Sequence, residues 1–490
     1  MLKRTLYFLQ PSFLSSFDVK DWKGIAIKPA FIVLLFSLGM WMIPIPQGLD
    51  PKAWNLFIIF AATILGVVLK PLPLASWTLL SLCVCLLTNT LTTAQALSSF
   101  GKGVVWLVVF AFFISRGFIK TGLGARLAYT FVKIFGRSTL GLSYGLVFTD
   151  VLLAPTIPSN TARLGGILFP ILSSLSDEYG STPAKKTSRK IGAFLLVTIF
   201  QVDMVACAMF LTAIASNPLA VSIASSFGIE LTWIGWLKAS CVPGVLTILI
   251  IPTLLYYVFP PELKKTPDAP KIALQKLTQM GKLSLPEIVM LCTFALLVCL
   301  WISGAAIGIS ASTTALLGIV ILLVTGVLQF DDLLAEKGAW TTLIWFAILL
   351  TLAYNMADLG FMKWLGAHIQ SFVQPFPVWT AVAVISIGFF FAHYFFASST
   401  AHISSMYAMF LLALLGVGAP PLFSALVLSF ASSLSSGLTH YGTGAAPIYF
   451  GANYVSVKDW CKLGLICGLV SLVIWGTVGM AWWYAIGLLD

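Results

Sequence analysis

Apolar runs of about 18 residues or more recur along this chain from residue 29 to residue 487. Wound as a helix, each is long enough to cross a hydrocarbon core of about 30 Å. Lipid offers no partner to a backbone N–H or C=O, so a run of this kind is read as a helix, which satisfies its own backbone. Crossings are expected near 29–45, 54–70, 75–93, 104–119, 191–220, 233–259, 285–303, 307–328, 340–356, 421–450 and 463–487. Between them no hydrophilic block is large enough for a soluble domain, and only 9% of the residues are charged, against roughly 25% in an ordinary soluble domain. Two further apolar stretches, 139–176 and 378–417, are too long for one helix and are interrupted near the middle by small polar residues. Each is read as a hairpin that enters the membrane and leaves by the same side, its turn shielded by protein or water. The expected fold is therefore all-α and polytopic, with about 11 transmembrane helices plus two re-entrant hairpins.

Loop charge tests that topology. With the N-terminus (Lys3, Arg4, Lys20, Lys23, Lys28) inside, the positive-inside rule also places Lys70, the segment 116–137, the loop 177–190 and the 260–287 linker inside, provided that 139–176 is re-entrant. The acidic loop 329–339 is the exception. The net charge of +11 is scattered over these loops, so orientation in a lipid bilayer explains it and no nucleic-acid partner is expected. Eight cysteines lie within or beside apolar segments without a CxxC pair; they are read as small core residues. The basic start lacks an A-x-A cleavage site, which favours a cytoplasmic N-terminal stub on a multi-pass protein of a cell (inner) membrane.

Spans beginning near 54, 75, 104 and 233 have counterparts beginning near 285, 307, 340 and 463. The polar interruption at 159–161 recurs at 398–400, and the break at Pro218 recurs at Pro447, every offset falling between roughly 229 and 239 residues. Five crossings plus a hairpin is an odd number of crossings, so the second copy must lie upside-down. The organisation expected is an N-terminal segment and extra helix (1–53), a first inverted repeat (54–259), a basic cytoplasmic linker (260–284) and a second inverted repeat (285–490). Inverted repeats with interrupted helices are a secondary-transporter architecture.

The interruptions carry the polar chemistry. In 155-PTIPSNTARLGG-166, a helix starting near Ser159 would aim free N–H groups and a positive dipole end into the bilayer, which suits a carboxylate. Ser159 and Thr161 can donate to that anion, and the Asn160 carboxamide, with Ser216 in the first broken helix, is the candidate for holding Na⁺. The alternative is a Ser/Thr/Asn kink packed against neighbouring helices. In 397-ASSTAHISSMY-407, Ser398, Ser399 and Thr400 fall at the equivalent positions, and Arg163 and His402 follow the two motifs in the same register. Both are candidates for complementing a doubly charged anion, with snorkelling or a helix-end hydrogen bond as the other reading. Asn217 beside Pro218, and Thr443 among Gly442, Gly444 and Pro447, mark broken helices whose freed carbonyls could line the same cavity. Asp150 and Asp203 are the acids most clearly placed within apolar runs, and a structural hydrogen bond inside the bundle is favoured for them over a proton or cation relay. GxSxG, Walker-type loops, HExxH and paired catalytic carboxylates are absent, so the chain is not read as an enzyme. A passive channel would need a continuous polar stripe rather than two tips and two breaks.

The motifs PSNTARLGG (158–166), FASSTAH (396–402) and THYGTGAAPIYFG (439–451), with LAYTFVKIFGRSTLGLSYG (127–145) and YYVFPPELKK (256–265), resemble the divalent anion/sodium symporter family, in its branch of 2-oxoglutarate/malate and citrate/succinate translocators. The resemblance covers essentially the whole chain. It implies paired hairpins with Ser-Asn-Thr tips, elevator-type movement of a transport domain against a dimerising scaffold, a homodimer, and dicarboxylate anions as substrates. Ser159, Asn160 and Thr161 match the first tip motif, and Ser398 and Thr400 the second. Ser399 stands where better-known members have Asn, a difference compatible with the branch that trades 2-oxoglutarate for malate. The remaining cavity-lining expectations are Arg163, Ser216, Asn217, Thr443 and Pro447. No cofactor is implied beyond Na⁺, which belongs to the alternative reading of Na⁺-coupled uptake.

Overall fold

The computed structural model describes residues 24–373 and 377–489; the basic stretch that carries Lys3, Arg4, Lys20 and Lys23 lies outside them. Among the described residues there is no strand, and nine helices are long and apolar enough to cross a membrane. Shorter apolar helices join them at Ile27–Met42, Leu74–Leu87, Thr139–Leu153, Ala311–Val324 and Pro421–Ser435. A helix lies at each of the eleven expected crossings.

Local chemistry sets the boundaries. Asp50 caps Pro51–Leu69 by accepting from the Lys52 N–H at 2.6 Å, with Pro at the first helical position, where its missing N–H costs nothing. At the start of Leu285–Ile307, Ser284 and Glu287 form a reciprocal capping box. Glu287 also accepts from Arg126 Nε at 2.5 Å, tying the amphipathic helix Leu123–Phe135 to the second half of the chain. The acidic loop that departed from the expected charge pattern has a local explanation. Asp332 accepts from Lys120 Nζ at 2.6 Å, and that hydrogen bond holds its carboxyl below the usual carboxylate range.

Two expected crossings are divided. The run 191–220 is a fully buried helix, Gly192–Met209, followed by a break and a new helix, Ser216–Ser225. The run 421–450 is Pro421–Ser435, a longer break, and Ala446–Gly451. In each case the proline that looks like a kink, Pro218 or Pro447, sits in the first turn of the second segment, where N–H groups have no intrahelical acceptor. The interrupted stretches are helix–turn–helix hairpins. The first runs from Thr139–Leu153 into a π-helical turn, Ala162–Leu168, and on to Phe169–Glu178. The second runs from Val378–Ala392 into Ser399–Gly416. From Pro51 onward the order of helices in the first half recurs in the second, including an amphipathic helix before each hairpin and a broken helix after it. The linker adds the helix Ala269–Gln279 and pairs its start with the base of the first hairpin through Thr139 N–H to Lys264 O (3.1 Å) and Thr266 N–H to Arg137 O (3.0 Å).

The helices of residues 27–121 and 285–358 form one body, and both hairpins with both broken helices form another. Across the seam between them, among the described residues, Ser222 Oγ and Tyr354 Oη, 2.7 Å apart, make the one side-chain hydrogen bond that joins the two bodies. Lys102 Nζ lies over the same tyrosine ring, 4.0 Å from its centroid.

Candidate functional site

At the first hairpin tip Ser159 Oγ accepts from the Ala162 N–H at 3.2 Å and starts the helix. Asn160 is buried, and its Nδ2 donates to Thr443 Oγ1 at 2.7 Å. Thr161, partly exposed, lies so close to Gly444 that a Cβ there would stand 2.7 Å from its hydroxyl, which explains a residue without a side chain at 444. Tyr449 Oη, one turn further on, donates to Leu164 O at 3.3 Å. The tip of the first half is thus seated on the broken helix of the second half.

The second tip mirrors it. Ser398 Oγ accepts from the Ala401 N–H at 3.1 Å, and Thr400 is partly exposed. Ser399 is buried, with its hydroxyl 2.7 Å from that of Ser436. The helix that follows packs along Ser216–Ser225, the broken helix of the first half. Asn217 staples that break: Nδ2 donates to Cys207 O (2.7 Å) and Phe210 O (3.1 Å), while Oδ1 accepts from Ser433 (3.2 Å). A cavity of about 400 Å³ opens between Ser398 and the loop at Lys70.

The structure brings Asn160, Thr161, Thr443 and Gly444 together, and it holds two other expected ligands in contacts within the protein. Arg163 is fully buried and uses all five N–H groups within the protein. Nε donates to Asp150 (3.0 Å), one terminal nitrogen to Ile157 O and Ala213 O (both 2.6 Å), and the other to Asp203 (2.5 Å) and Cys207 Sγ (3.3 Å). His402, also buried, stacks on Phe389 and contacts His393 and Ser432, each 3.2 Å from its Nδ1. His393 in turn bonds Gly442 O at 3.0 Å. Both residues anchor a hairpin to the neighbouring broken helix, so substrate binding is withdrawn from Arg163 and His402. The register that aligns Arg163 with His402 puts Phe389 where Asp150 stands, and the one that aligns Pro218 with Pro447 puts Ser432 where Asp203 stands. The first half holds its anchor by charge and the second by stacking. Sequence reading named all three charged residues without joining them, because Asp203 lies 40 residues from Arg163.

A hard cation needs oxygens that no protein donor occupies. Two of the expected Na⁺ ligands offer one. Asn160 donates through its nitrogen, leaving Oδ1 without a protein donor among the described residues, and Ser216 Oγ is buried without a partner there. On the second side the Ser399 hydroxyl is held by Ser436.

Known proteins resemble this chain along nearly its whole length. The family model described as "Sodium:sulfate symporter transmembrane region" matches residues 26–489. A Bacillus subtilis (strain 168) protein carrying a provisional malate-transporter name is 48% identical over 472 residues, covering 96% of this chain and 99% of its own length. "Dicarboxylate transporter 1, chloroplastic" of Spinacia oleracea is 45% identical over 474 residues, covering 96% and 83% respectively. Among solved structures, the Neisseria gonorrhoeae transporter MtrF aligns with a TM-score of 0.56 at 13% identity, over 98% of this chain and 97% of its own. The Alcanivorax borkumensis YdaH transporter aligns at 0.53 with 14% identity, over 94% and 99%. These two establish likeness of fold alone. With a family match across nearly the entire length, on a multi-pass helical scaffold, this chain belongs to the sodium:sulfate symporter transmembrane family, the divalent anion/sodium symporters, which are transporters and not enzymes.

Proposed function

We propose that the protein is a secondary carrier that exchanges dicarboxylates, 2-oxoglutarate for malate, across a cell (inner) membrane. The observation that carries this reading is the pair of hairpin tips, each opening a helix with a serine cap, the first seated on the broken helix of the second half and the second leading into a helix packed along the broken helix of the first. Helix starts supply N–H donors and a positive dipole end for a carboxylate, and Thr161 and Thr400 add partly exposed hydroxyls. The relatives named as dicarboxylate or malate transporters support the substrate class. The second reading, Na⁺-coupled uptake, draws on the unpaired Asn160 Oδ1 and Ser216 Oγ; the engagement of Ser399 by Ser436 favours exchange.

The two readings separate in proteoliposomes. Labelled 2-oxoglutarate should enter malate-loaded vesicles at least about tenfold faster than empty ones, with no requirement for a Na⁺ gradient. Equal rates into loaded and empty vesicles would rule out obligate exchange, and uptake that needs inward Na⁺ would establish symport.

Alternating access is assigned to elevator-type sliding of the hairpin-bearing body against the other, within two inverted repeats and a homodimer whose N-terminus is cytoplasmic. A seam with so few directional bonds resists sliding little, because almost none need to break. The Ser222–Tyr354 hydrogen bond is the exception and should hold this position. Removing one hydroxyl of a partly buried pair costs about 1 kcal/mol. Tyr354→Phe should therefore raise the fraction of carrier in the opposite state about fivefold, read as faster labelling of a cysteine introduced at a seam position covered here. Unchanged labelling would remove this bond from the mechanism.

A further inference from the structure

The cavity beside the second hairpin tip has an electrostatic imbalance. It is bounded by Ala397, Ser398 and Ala401 on one side and by the Lys70–Leu74 loop on the other. Lys70 is the one charged side chain lining it, and no carboxylate does. Among the described residues the Lys70 ammonium takes part in no ion pair or hydrogen bond. Across the cavity begins the 18-residue helix Ser399–Gly416. The Ser398 hydroxyl satisfies only the Ala401 N–H, so the remaining first-turn donors and the positive dipole end face the same space. Two positive features thus border one cavity, and among the described residues no carboxylate lines it, so an anion is the partner that its chemistry suits.

Lys70 is also held in place. It ends the helix Pro51–Leu69 in the left-handed region, φ 54° and ψ 52°, with its N–H donating to Gly66 O at 2.8 Å. Pro71 and Pro73 restrict the loop beyond it. Gly66 packs so tightly on Trp77 that a Cβ there would stand 2.0 Å from the indole, and the Trp77 indole N–H donates to Thr63 O at 2.9 Å. The backbone that carries Lys70 is therefore fixed at a corner of the body opposite the hairpin, with its side chain exposed.

We propose that Lys70 receives one carboxylate of the dianion while the second hairpin tip receives the other, so that Lys70 sets the preference for dianions over monoanions. This rests on the dicarboxylate-carrier reading above. Its role is specificity through charge: a monoanion satisfies the helix start and leaves the ammonium unpaired. The point charge of lysine suits a carboxylate arriving from water without fixed geometry.

Lys70→Gly is the informative variant, because glycine adopts the left-handed conformation without steric cost and removes the charge without disturbing the fold. In malate-loaded proteoliposomes it should raise the half-saturation concentration for malate about tenfold, the scale of a lost charge-assisted contact. The maximal rate should stay within about twofold, and the thermal midpoint should be unchanged or higher. Succinate and its monomethyl ester, matched in length and different in charge, should compete with wild-type uptake very unequally and with Lys70→Gly nearly equally. Lys70→Arg, which keeps the charge, should retain the wild-type preference. If Lys70→Gly leaves both half-saturation and the succinate-to-ester ratio unchanged while the wild type exchanges malate, Lys70 only orients the loop or meets lipid phosphate, and the proposal is wrong. A wild type that moves no dicarboxylate at all overturns instead the carrier reading beneath it.

Discussion

Replacing Arg163 by alanine should abolish dicarboxylate uptake and lower the thermal midpoint in detergent more than any substitution at the hairpin tips. The guanidinium is fully buried and serves two carboxylates, a thiol and two backbone carbonyls at once. Its loss leaves Asp150 and Asp203 buried on facing elements with no counter-charge, and removing one partner from a buried ionic group costs about 3–5 kcal/mol. It also frees the first hairpin from the Ala213 carbonyl, which belongs to the break that the hairpin must follow as one body. Arg163→Lys should fail nearly as badly, since an ammonium has three donors and no planar fork with which to reach five acceptors. Asp150→Asn should be mild by contrast. The amide keeps the acceptor for Nε, and Asp150 Oδ2 has no partner to lose. Thermal unfolding of the three purified variants checks the order. A midpoint for Arg163→Ala within a degree of the wild type would show that the hairpin is held by packing alone.

The membrane architecture was legible because lipid is an unforgiving solvent: a run such as 285–303 can satisfy its backbone only as a helix. The interruptions were legible for the related reason that Ser159-Asn160-Thr161 and Ser398-Ser399-Thr400 have no business among leucines without shielding. What the residues did not disclose was direction. Arg163 follows the first tip by two positions, and a cation beside an anion-binding motif invites an assignment to substrate. Only the packing of Gly192–Met209 against Thr139–Leu153 brings Asp203 and Asp150 to it. His402 misled in the same way, its ring being covered by Phe389 from the other arm of its own hairpin. The amphipathic helices Leu123–Phe135 and Phe361–Val373 escaped notice because their periodicity falls in segments that charge alone marks as loops. The breaks inside 191–220 and 421–450 were signalled by Pro218 and Pro447, but their extent depends on capping contacts such as Asn217 to Cys207 O, which composition cannot show.

The same symmetry that hid the anchors makes the tips testable separately from the fold. Asn160 and Thr443 come from opposite halves of the chain and meet at 2.7 Å, both buried. Thr443 Oγ1 also accepts from the Ala445 N–H at 3.1 Å, so it cannot turn away without leaving a second donor unmet. Asn160→Ala and Thr443→Val should each raise the half-saturation concentration for malate by about 5–150-fold, the range spanned by about 1–3 kcal/mol for an unpaired polar group. Neither should move the thermal midpoint as Arg163→Ala does, because the partly exposed Ser159 and Thr161 beside the contact leave room for water to rescue the stranded group. The double variant should cost clearly less than the two single costs added together, since once either partner is gone the other has nothing left to lose. Thr443→Ser, which keeps the hydroxyl, should stay within about threefold of the wild type. Strict additivity in the double variant would mean that the two residues act on substrate independently, and that the contact joining the two halves has no part in forming the site.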